Sequence, residues 1–251
     1  MLKLENLSFN YHTQAGEIRA IENIDLEIRE GEFLSLIGPS GCGKSTLLSL
    51  ISGMLKPSRG RVLLDGEEIR GPDAKIAWMP QRDQLFPWRT ILGNVLIGIE
   101  VRRKLTPADR KKAVSLLEKY GLGDFINHYP NQLSGGMRQR AALIRTLAVD
   151  PEILLLDEPF SALDYQTRLT VSDEVRLIIA REQKTSILVT HDINEGISMS
   201  DRVAVMSRRP ARIKAVHDIR LSVDELSPMK RREAPEFRSY FNQIWKELDV
   251  Q

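Results

Sequence analysis

Apolar and polar side chains alternate along two stretches near the start of the chain. A period of two predicts strands with one covered face, and the turn residues HTQAGE separate the two stretches. An Asp-Gly pair inside RVLLDGEEI predicts a further hairpin. This part of the chain therefore predicts an antiparallel β subdomain, built on LKLENLSFNY and IRAIENIDLEI.

Several later stretches are apolar without alternation, as expected for strands that are buried on both faces of a parallel sheet. The first of them, EFLSLIG, is followed by KSTLLSLISGML, which is apolar at helical spacing. The order there is strand, loop and helix. A helix predicted over residues 165–181 separates two further strands. The predicted strands of this sheet are EFLSLIG, KIAWMPQ, EILLLDEP, TSILVTHD, RVAVMS and RIKAVHDI.

Helical spacing dominates between about residues 85 and 150. TILGNVLIGIEVRR begins this block, and TPADRKKAVSLLEKYGL follows with Thr106 as N-cap and Pro107 at the first helical position. A third helix is predicted after Ser134. The predicted fold is an α/β core with a mainly parallel sheet, an N-terminal antiparallel β subdomain and an inserted α-helical subdomain.

The same pattern predicts a division of the chain into one domain and a short tail. One domain is predicted over residues 1–222, with the helical subdomain at about 85–150 inserted in it. The short tail at 223–251 is charged and is predicted to be helical through EFRSYFNQIWKEL.

Composition limits the partners and the cell compartment that are expected. The 251 residues carry 36 basic and 34 acidic side chains, a net charge of +2 that gives no general attraction to nucleic acid, so nucleic acid is not expected as a partner. A single cysteine, the absence of a leader pattern at MLKLENLSF, and the lack of an apolar run near ~18 residues predict a reducing, cytosolic protein.

A glycine-rich loop lies between the first apolar strand and its helix. GPSGCGKST matches GxxxxGK[ST], in which backbone amides wrap phosphates, Lys44 reaches the β and γ groups and Ser45 binds Mg²⁺. The alternative is a glycine-rich turn that binds no nucleotide. The loop consists of Gly38, Pro39, Ser40, Gly41, Cys42, Gly43, Lys44, Ser45 and Thr46.

Cys42 has two interpretations. Its place near a helix start either lowers the thiol pKa and makes it prone to alkylation, or the residue is simply small enough for the loop.

Two carboxylates end the strand ILLLDEP. Neighbouring strand residues point to opposite faces, so Asp157 and Glu158 cannot have the same role. Asp157 is predicted to approach Mg²⁺, and Glu158 to polarise the attacking water. The alternative is an acidic, solvated turn.

A second glycine pair begins the helix after NQLSGGMRQR. Each glycine in a first helical turn costs about 1 kcal/mol against alanine, yet bare amides after a serine N-cap suit a phosphate. Ser134, Gly135 and Gly136 therefore predict a second phosphate site in the same chain.

Three further residues have open interpretations. His191 and Gln81 end predicted strands, where ligands of open α/β sheets bind, and each is either functional or structural. Tyr11 either packs within its strand or stacks on adenine. The basic run RRKLTPADRKK is either a solvated face or a site for an acidic partner.

An apolar cluster stands in a predicted surface loop. Phe86 and Trp88, within QLFPWRT, either pack into the helical subdomain or form a contact with another protein.

Taken in order, these residues resemble the ATP-binding subunit of ABC transporters from about Leu4 to Ile219. The resemblance implies a P-loop NTPase fold, ATP and Mg²⁺ as cofactors, and a head-to-tail homodimer in which each ATP meets the loop of one subunit and the signature of the other. It also implies roles for Tyr11 at adenine, Gln81 and His191 in catalysis, Gln81 at the metal, and Asp164 at the nucleotide. The motifs are NYHTQAG (A-loop), GPSGCGKST (Walker A), MPQ (Q-loop), LSGGM (signature), ILLLDEP (Walker B), SALD (D-loop) and VTHD (H-loop).

The signature departs from the usual LSGGQ, because Met137 cannot return the capping-box bond that glutamine makes. LSGGM, LFPWRTILGNV and MSRRPARI resemble the nitrate, sulfonate and taurine importer branch, although Gly93 stands where a more helix-favouring residue is expected. This resemblance implies two integral membrane permease subunits, an external solute-binding protein, and a peripheral place at the cytoplasmic face of the cell membrane. The alternative is a soluble ABC ATPase that remodels a nucleoprotein or ribosome.

Overall fold

Two β-sheets form the frame of the protein, a computed structural model of which describes residues 1–14, 16–223 and 225–249. The predicted A-loop stretch includes residue 15, and the predicted tail includes 224, 250 and 251; these positions lie outside the described residues. The strands are β1 (Leu2–Thr13), β2 (Gly16–Ile28), β3 (Phe33–Ile37), β4 (Arg59–Leu64), β5 (Glu67–Glu68), β6 (Ile76–Met79), β7 (Ile153–Asp157), β8 (Thr185–Thr190), β9 (Arg202–Met206) and β10 (Ile213–Asp218).

Helices lie on and beside these sheets. Short 3-10 turns at Gly123–Phe125 and Pro130–Gln132 connect two of them. Among the described residues, none of the helices has both the length and the apolar character that a membrane crossing requires. The helices are α1 (Lys44–Ile51), α2 (Ile91–Arg102), α3 (Pro107–Lys119), α4 (Gly135–Ala148), α5 (Tyr165–Arg181), α6 (Ile193–Met199), α7 (Pro228–Arg231) and α8 (Phe237–Asp249).

The larger sheet has the order β10-β9-β3-β8-β7-β6. All its neighbouring strands are parallel except β10, which is antiparallel to β9. β3, β7 and β8 consist of buried residues throughout, which is why they read as continuous apolar runs. The mainly parallel sheet is confirmed, and the carboxyl ends of β3, β6, β7 and β8 meet at one edge.

The smaller sheet, in the order β2-β1-β4-β5, is antiparallel throughout. Its apolar face packs with α1 against one side of the larger sheet, and Leu4, Ile24, Leu47 and Leu155 share that core. The predicted N-terminal β subdomain is therefore confirmed.

Helices α2, α3 and α4 lie in the chain between β6 and β7. Their apolar sides form one core with α5 and the opposite side of the larger sheet, where Val95, Leu143, Leu154 and Val175 are buried. Thr106 caps α3 and forms the reciprocal capping box with Asp109. The inserted helical subdomain is confirmed.

The tail packs against the rest of the protein. Phe237 and Ile244 of α8 lie in a buried cluster with Ile197 of α6 and Val205 of β9. The division at residue 222 stays a prediction, since the tail shares its apolar core with the preceding elements.

Two helices differ from the sequence pattern. α1 ends at Ile51, because Ser52 closes it and Gly53 adopts a left-handed backbone (φ 74°), although the apolar spacing continues to Leu55. α6 is absent from the sequence-based assignment. It begins after Asp192, whose side chain accepts hydrogen bonds from the amides of Asn194 and Glu195.

Candidate nucleotide site

The glycine-rich loop after β3 is closed on itself by Lys44. Its Nζ donates to the carbonyl of Gly38 at 2.7 Å and to that of Pro39 at 3.1 Å. Gly41 and Gly43 adopt φ values of 73° and 127°, which favour glycine. The loop is thus shaped as a tight cradle in front of α1, and this shape fits a nucleotide phosphate.

Ser45 lies beside the end of β7. Its hydroxyl donates to Asp157 Oδ1 at 3.1 Å. Burial raises the pKa of the Asp157 carboxyl above its ordinary value, and the hydrogen bond from Ser45 opposes this. A hydroxyl and a carboxylate at this distance are the oxygen donors that Mg²⁺ prefers, so the residues present fit that ion.

Glu158 is the centre of a polar group at the same sheet edge. Its Oε2 lies 3.1 Å from His191 Nδ1 and 3.4 Å from Gln81 Nε2, which donates to it. Its backbone is left-handed (φ 45°), and its amide donates to the carbonyl of Val189 at 2.9 Å. The structure therefore brings together three residues that the sequence singled out separately, from the ends of β6, β7 and β8.

Ser161 belongs to this group, although it received no role from the sequence beyond its place in the SALD motif. Its hydroxyl donates to the Glu158 carbonyl at 2.9 Å and lies 3.3 Å from Gln81 Nε2. A serine three residues after Glu158 in a loop carries no periodic signal. Only its place in the turn shows its use.

Tyr11 reaches the helix that follows the cradle. Its hydroxyl lies 3.0 Å from Thr46 Oγ1, and its ring meets that of Phe9 edge-on at 4.9 Å between centroids. The side chain is partly packed and partly open, so both sequence interpretations keep a structural basis. The ring lies beside the cradle.

Cys42 is buried within the loop. Burial raises the pKa of its thiol above the ordinary value. The interpretation in which the helix start lowers this pKa is therefore wrong, and the thiol is a small buried side chain.

The second glycine pair begins α4. Ser134 accepts a hydrogen bond from the amide of Met137 at 3.3 Å. A Cβ on Gly136 would lie 2.8 Å from Val171 Cγ2 of α5, so this turn needs glycine for packing as well. In the described ranges 1–14, 16–223 and 225–249, no hydrogen bond joins residues 134–137 to the cradle.

Asp164 caps the neighbouring helix. It accepts from the amide of Thr167 at 3.1 Å, and hydrogen bonds from Thr167 hold the pKa of its carboxyl below the ordinary range. The structure thus gives Asp164 a capping role within the chain.

The aromatic loop before α2 is only partly packed. Asn94 accepts from the Phe86 amide at 2.6 Å and donates to the Phe86 carbonyl at 3.1 Å, which fixes the loop. Trp88 is 71% exposed, so the interpretation that places both aromatic rings in the helical subdomain is wrong for Trp88. Beside the loop lies an open apolar groove lined by Met54, Trp78, Phe86 and Val101.

The basic run after α2 is partly neutralised within the chain. Arg103 forms a bidentate pair with Asp109, both bonds being 2.7 Å, and Lys112 lies 3.5 Å from Asp150. These contacts favour the solvated-face interpretation.

Comparisons with known proteins agree with this geometry. A family model described as ABC transporter matches residues 21–161. The chain is 44% identical over 248 residues to the uncharacterized ABC transporter ATP-binding protein YtlC of Bacillus subtilis, covering 99% of this chain and 95% of that protein. It is 40% identical over 230 residues to the aliphatic sulfonates import ATP-binding protein SsuB of Bacillus licheniformis, covering 92% and 87%.

A solved structure is similar as well. It is a dimeric, post-hydrolysis state of the ATP-binding cassette MJ0796 bound to ADP and Pi, with a TM-score of 0.74, 35% identity, and coverage of 88% of this chain and 99% of that one. The matched range, the full-length relatives and the cradle with its acidic neighbours lead to one conclusion: the chain belongs to the family of ABC transporter ATP-binding proteins and is an ATP hydrolase of that family.

Proposed function

We propose that the protein is the ATP-hydrolysing subunit that energises import of a small anionic solute through partner membrane subunits. The observation that carries this proposal is the group formed by Glu158, His191 and Gln81, since it is held at the sheet edge beside the phosphate cradle. An importer subunit needs a hydrolytic centre of this kind together with a surface for a membrane partner.

The cradle residues bind the nucleotide. The amides of residues 38–46 surround the phosphates, and Lys44 exchanges its contacts with Gly38 and Pro39 for phosphate oxygens. Tyr11, next to Thr46, stacks on the adenine. Ser45, Asp157 and Gln81 would hold Mg²⁺, which when bound would neutralise charge on the phosphates.

Glu158 is the general base. Its carboxylate is held through Oε2, which contacts both His191 and Gln81, so it has a fixed direction in which to accept a proton from water. His191 thus orients the base, and Gln81 connects the Glu158 carboxylate to the loop that follows β6.

Ser134, Gly135, Gly136 and Asp164 act on the nucleotide of a second copy. No hydrogen bond joins the signature turn to the cradle within the described part of the chain, while its amides and helix N-terminus suit a phosphate. The similar cassette is dimeric, which supports a homodimer, and we propose that its two subunits pair head to tail. Two phosphate sites in one chain thereby serve two different nucleotides.

The solute is proposed to be a nitrate-, sulfonate- or taurine-like anion. The relative named for aliphatic sulfonates import and the LSGGM signature support this class. Two permease subunits and an external solute-binding protein complete the system. In this proposal Phe86 and Trp88, beside the groove, contact the permease subunits, and the protein is peripheral at the cytoplasmic face of the membrane.

The test is co-purification followed by hydrolysis. The chain is expected to copurify with integral membrane proteins, and its ATPase rate in that complex is expected to rise with the cognate anion and its binding protein. Nitrate, an alkanesulfonate and taurine are compared, with Lys44→Ala as the inactive control. Copurification with ribosomes or nucleoprotein and no membrane protein would overturn the proposal.

A further inference from the structure

One hydroxyl group holds both sides of the turn that carries His191. Thr190, the last residue of β8, accepts a hydrogen bond from the amide of Asp192 at 3.0 Å. The same hydroxyl donates to Glu195 Oε2 at 3.0 Å. His191 is the single residue between Thr190 and Asp192, which this hydrogen bond joins, so its backbone has little freedom.

Glu195 is the fixed end of this arrangement. It lies in the first turn of α6, is 5% exposed, and receives no assignment from the sequence motifs. Asp192 caps the same turn by accepting from the amide of Asn194 at 2.8 Å. Helix α6 itself is buried against β3 and β9 through Ile193 and Ile197. The backbone of Glu195 therefore cannot shift without moving a packed helix.

The imidazole reaches outward from this turn. His191 Nδ1 lies 3.1 Å from Glu158 Oε2, and the Glu158 amide donates to Val189 at 2.9 Å, one residue before Thr190. Both residues of the His191–Glu158 contact are thus attached to the end of β8: His191 follows it in the chain, and the Glu158 amide is bonded to it. A shift of the turn by a fraction of an ångström changes their distance directly.

We propose that Glu195 is a positioning residue for ATP hydrolysis, acting through the Thr190 hydroxyl to hold His191 against Glu158. This rests on the role proposed above for His191. In this role Glu195 acts on the turn and not on the reacting atoms. The hydroxyl is essential to the arrangement because it is both donor and acceptor.

The first test removes the hydroxyl. Thr190→Val is expected to lower kcat on the order of 10- to 100-fold, as for a misplaced catalytic group, while KM for ATP changes less than about twofold. Thr190→Ser keeps the hydroxyl and is expected to restore most of kcat. Equal kcat in the two variants would overturn the proposal.

A cycle with His191 separates positioning from a general loss of structure. In single-turnover measurements, Thr190→Val is expected to have little further effect once His191→Ala is present, because the two changes act through one group. Independent, multiplicative losses would overturn the proposal. If His191→Ala alone leaves hydrolysis unchanged, the role proposed for His191 fails. That outcome differs from multiplicative losses, which would contradict only the role of Glu195.

A second pair of variants addresses the acceptor. Glu195→Gln keeps a carbonyl oxygen for the Thr190 hydroxyl and is expected to retain much more kcat than Glu195→Leu, which has none. Ser186→Ala is the matched control, since Ser186 is buried on the same strand and its hydroxyl forms no hydrogen bond within the described residues. Thermal denaturation of all variants reports folding. Identical rates for Glu195→Gln and Glu195→Leu in folded protein would contradict the proposal.

Discussion

Glu158 occupies a backbone conformation that few residues other than glycine adopt. At φ 45° it costs on the order of 1–3 kcal/mol, and such positions persist where surrounding contacts determine them. Here the amide is bound to Val189 and the carbonyl accepts from Ser161. The backbone strain is therefore localised at the residue that we assign as general base.

Replacing that carboxylate isolates its role. Glu158→Gln keeps the size and a carbonyl oxygen but accepts no proton from water, so we expect hydrolysis to fall about 10²- to 10⁴-fold while ATP binding remains. The variant is then expected to accumulate as an ATP-bound dimer, which size-exclusion chromatography with ATP and Mg²⁺ detects. Lys44→Ala, which weakens binding itself, is the control. A monomer at saturating ATP would contradict either the role of Glu158 or the dimer.

Glu195 has a consequence for stability that depends on pH. Burial raises its pKa from 4.5 to about 7, with Asp192 adding to the rise and the Thr190 hydrogen bond, Arg168 and Arg232 opposing it. The fold thus favours the protonated form. The contribution of protonated Glu195 to the free energy of unfolding is fully present below pH 4.5. It is lost as the pH rises through about 7.

Glu195→Gln removes this titration. We expect the variant to be more stable than the wild type at pH 8, by at most about 3 kcal/mol, with the difference shrinking toward pH 5. Urea denaturation at several pH values measures it. A stability difference that is constant with pH, or that grows as the pH falls, would show that Glu195 is ionised throughout in the folded protein.

Single residues were predictable where a motif fixes their chemistry. Lys44, Ser45 and Asp157 were found from spacing alone and lie together as expected. Ser161 and Thr190 lie within the quoted motifs but received no role, because the partner that a hydroxyl binds depends on how the turn around it folds. No local pattern contains that information.

At the scale of elements, the signature turn packs more tightly than a phosphate nest requires. A Cβ on Gly135 would lie 3.1 Å from Leu163 Cδ2, and one on Gly136 would lie 2.8 Å from Val171 Cγ2. The start of α4 therefore packs against α5 and against the segment that leads into it. Glycine here serves both close packing and exposed amides.

A bulky cation at the start of α4 tests whether this turn acts on a partner's nucleotide. Ser134→Arg is expected to leave ATP binding by the monomer nearly unchanged and to abolish turnover, since the obstruction arises only in a closed dimer. Isothermal titration and steady-state ATPase assays measure the two effects.

Mixed dimers test whether the signature of one subunit acts on the nucleotide of the other. With Ser134→Arg and Lys44→Ala on one subunit and a wild-type partner, neither composite site is whole. With the two changes on opposite subunits, one site stays intact. We expect activity only in the second arrangement; equal rates would exclude a signature that acts in trans.

Most elements were predictable from the period of their apolar positions. Long amphipathic helices such as α3 and buried strands such as β7 carry strong patterns. α6 has seven residues and a glycine within it, too short for a period to appear. Its signal was the cap, since Asp192 stands three positions before Glu195, and such pairs are common enough that packing had to identify this one.

For the whole molecule, the exposed Trp88 beside the apolar groove is the feature that points to a partner. Trp88 lies 5.2 Å from Phe86 between ring centroids, and the loop that holds both is fixed by Asn94. A rigid aromatic side chain of this kind is a typical anchor of an interface.

Trp88→Ala is expected to lose assembly with the membrane subunits, because truncating a buried interface aromatic commonly costs ~2 kcal/mol or more, about a 30-fold loss of affinity. Pull-down with the permease subunits measures it. Trp245→Ala is the matched control, since Trp245 is 52% exposed on α8, away from the groove. Normal assembly of Trp88→Ala, or an equal loss with Trp245→Ala, would remove Trp88 from the interface.

The position of β6 at the rim of the larger sheet has a mechanical consequence. Among the strands of the described residues it is paired with β7 only, whereas β7 and β8 are paired on both sides. The chain that leaves β6 passes through Gln81 directly into the helical lobe. A displacement of the helical subdomain therefore acts first on an edge strand, and Gln81 lies on the chain between the two.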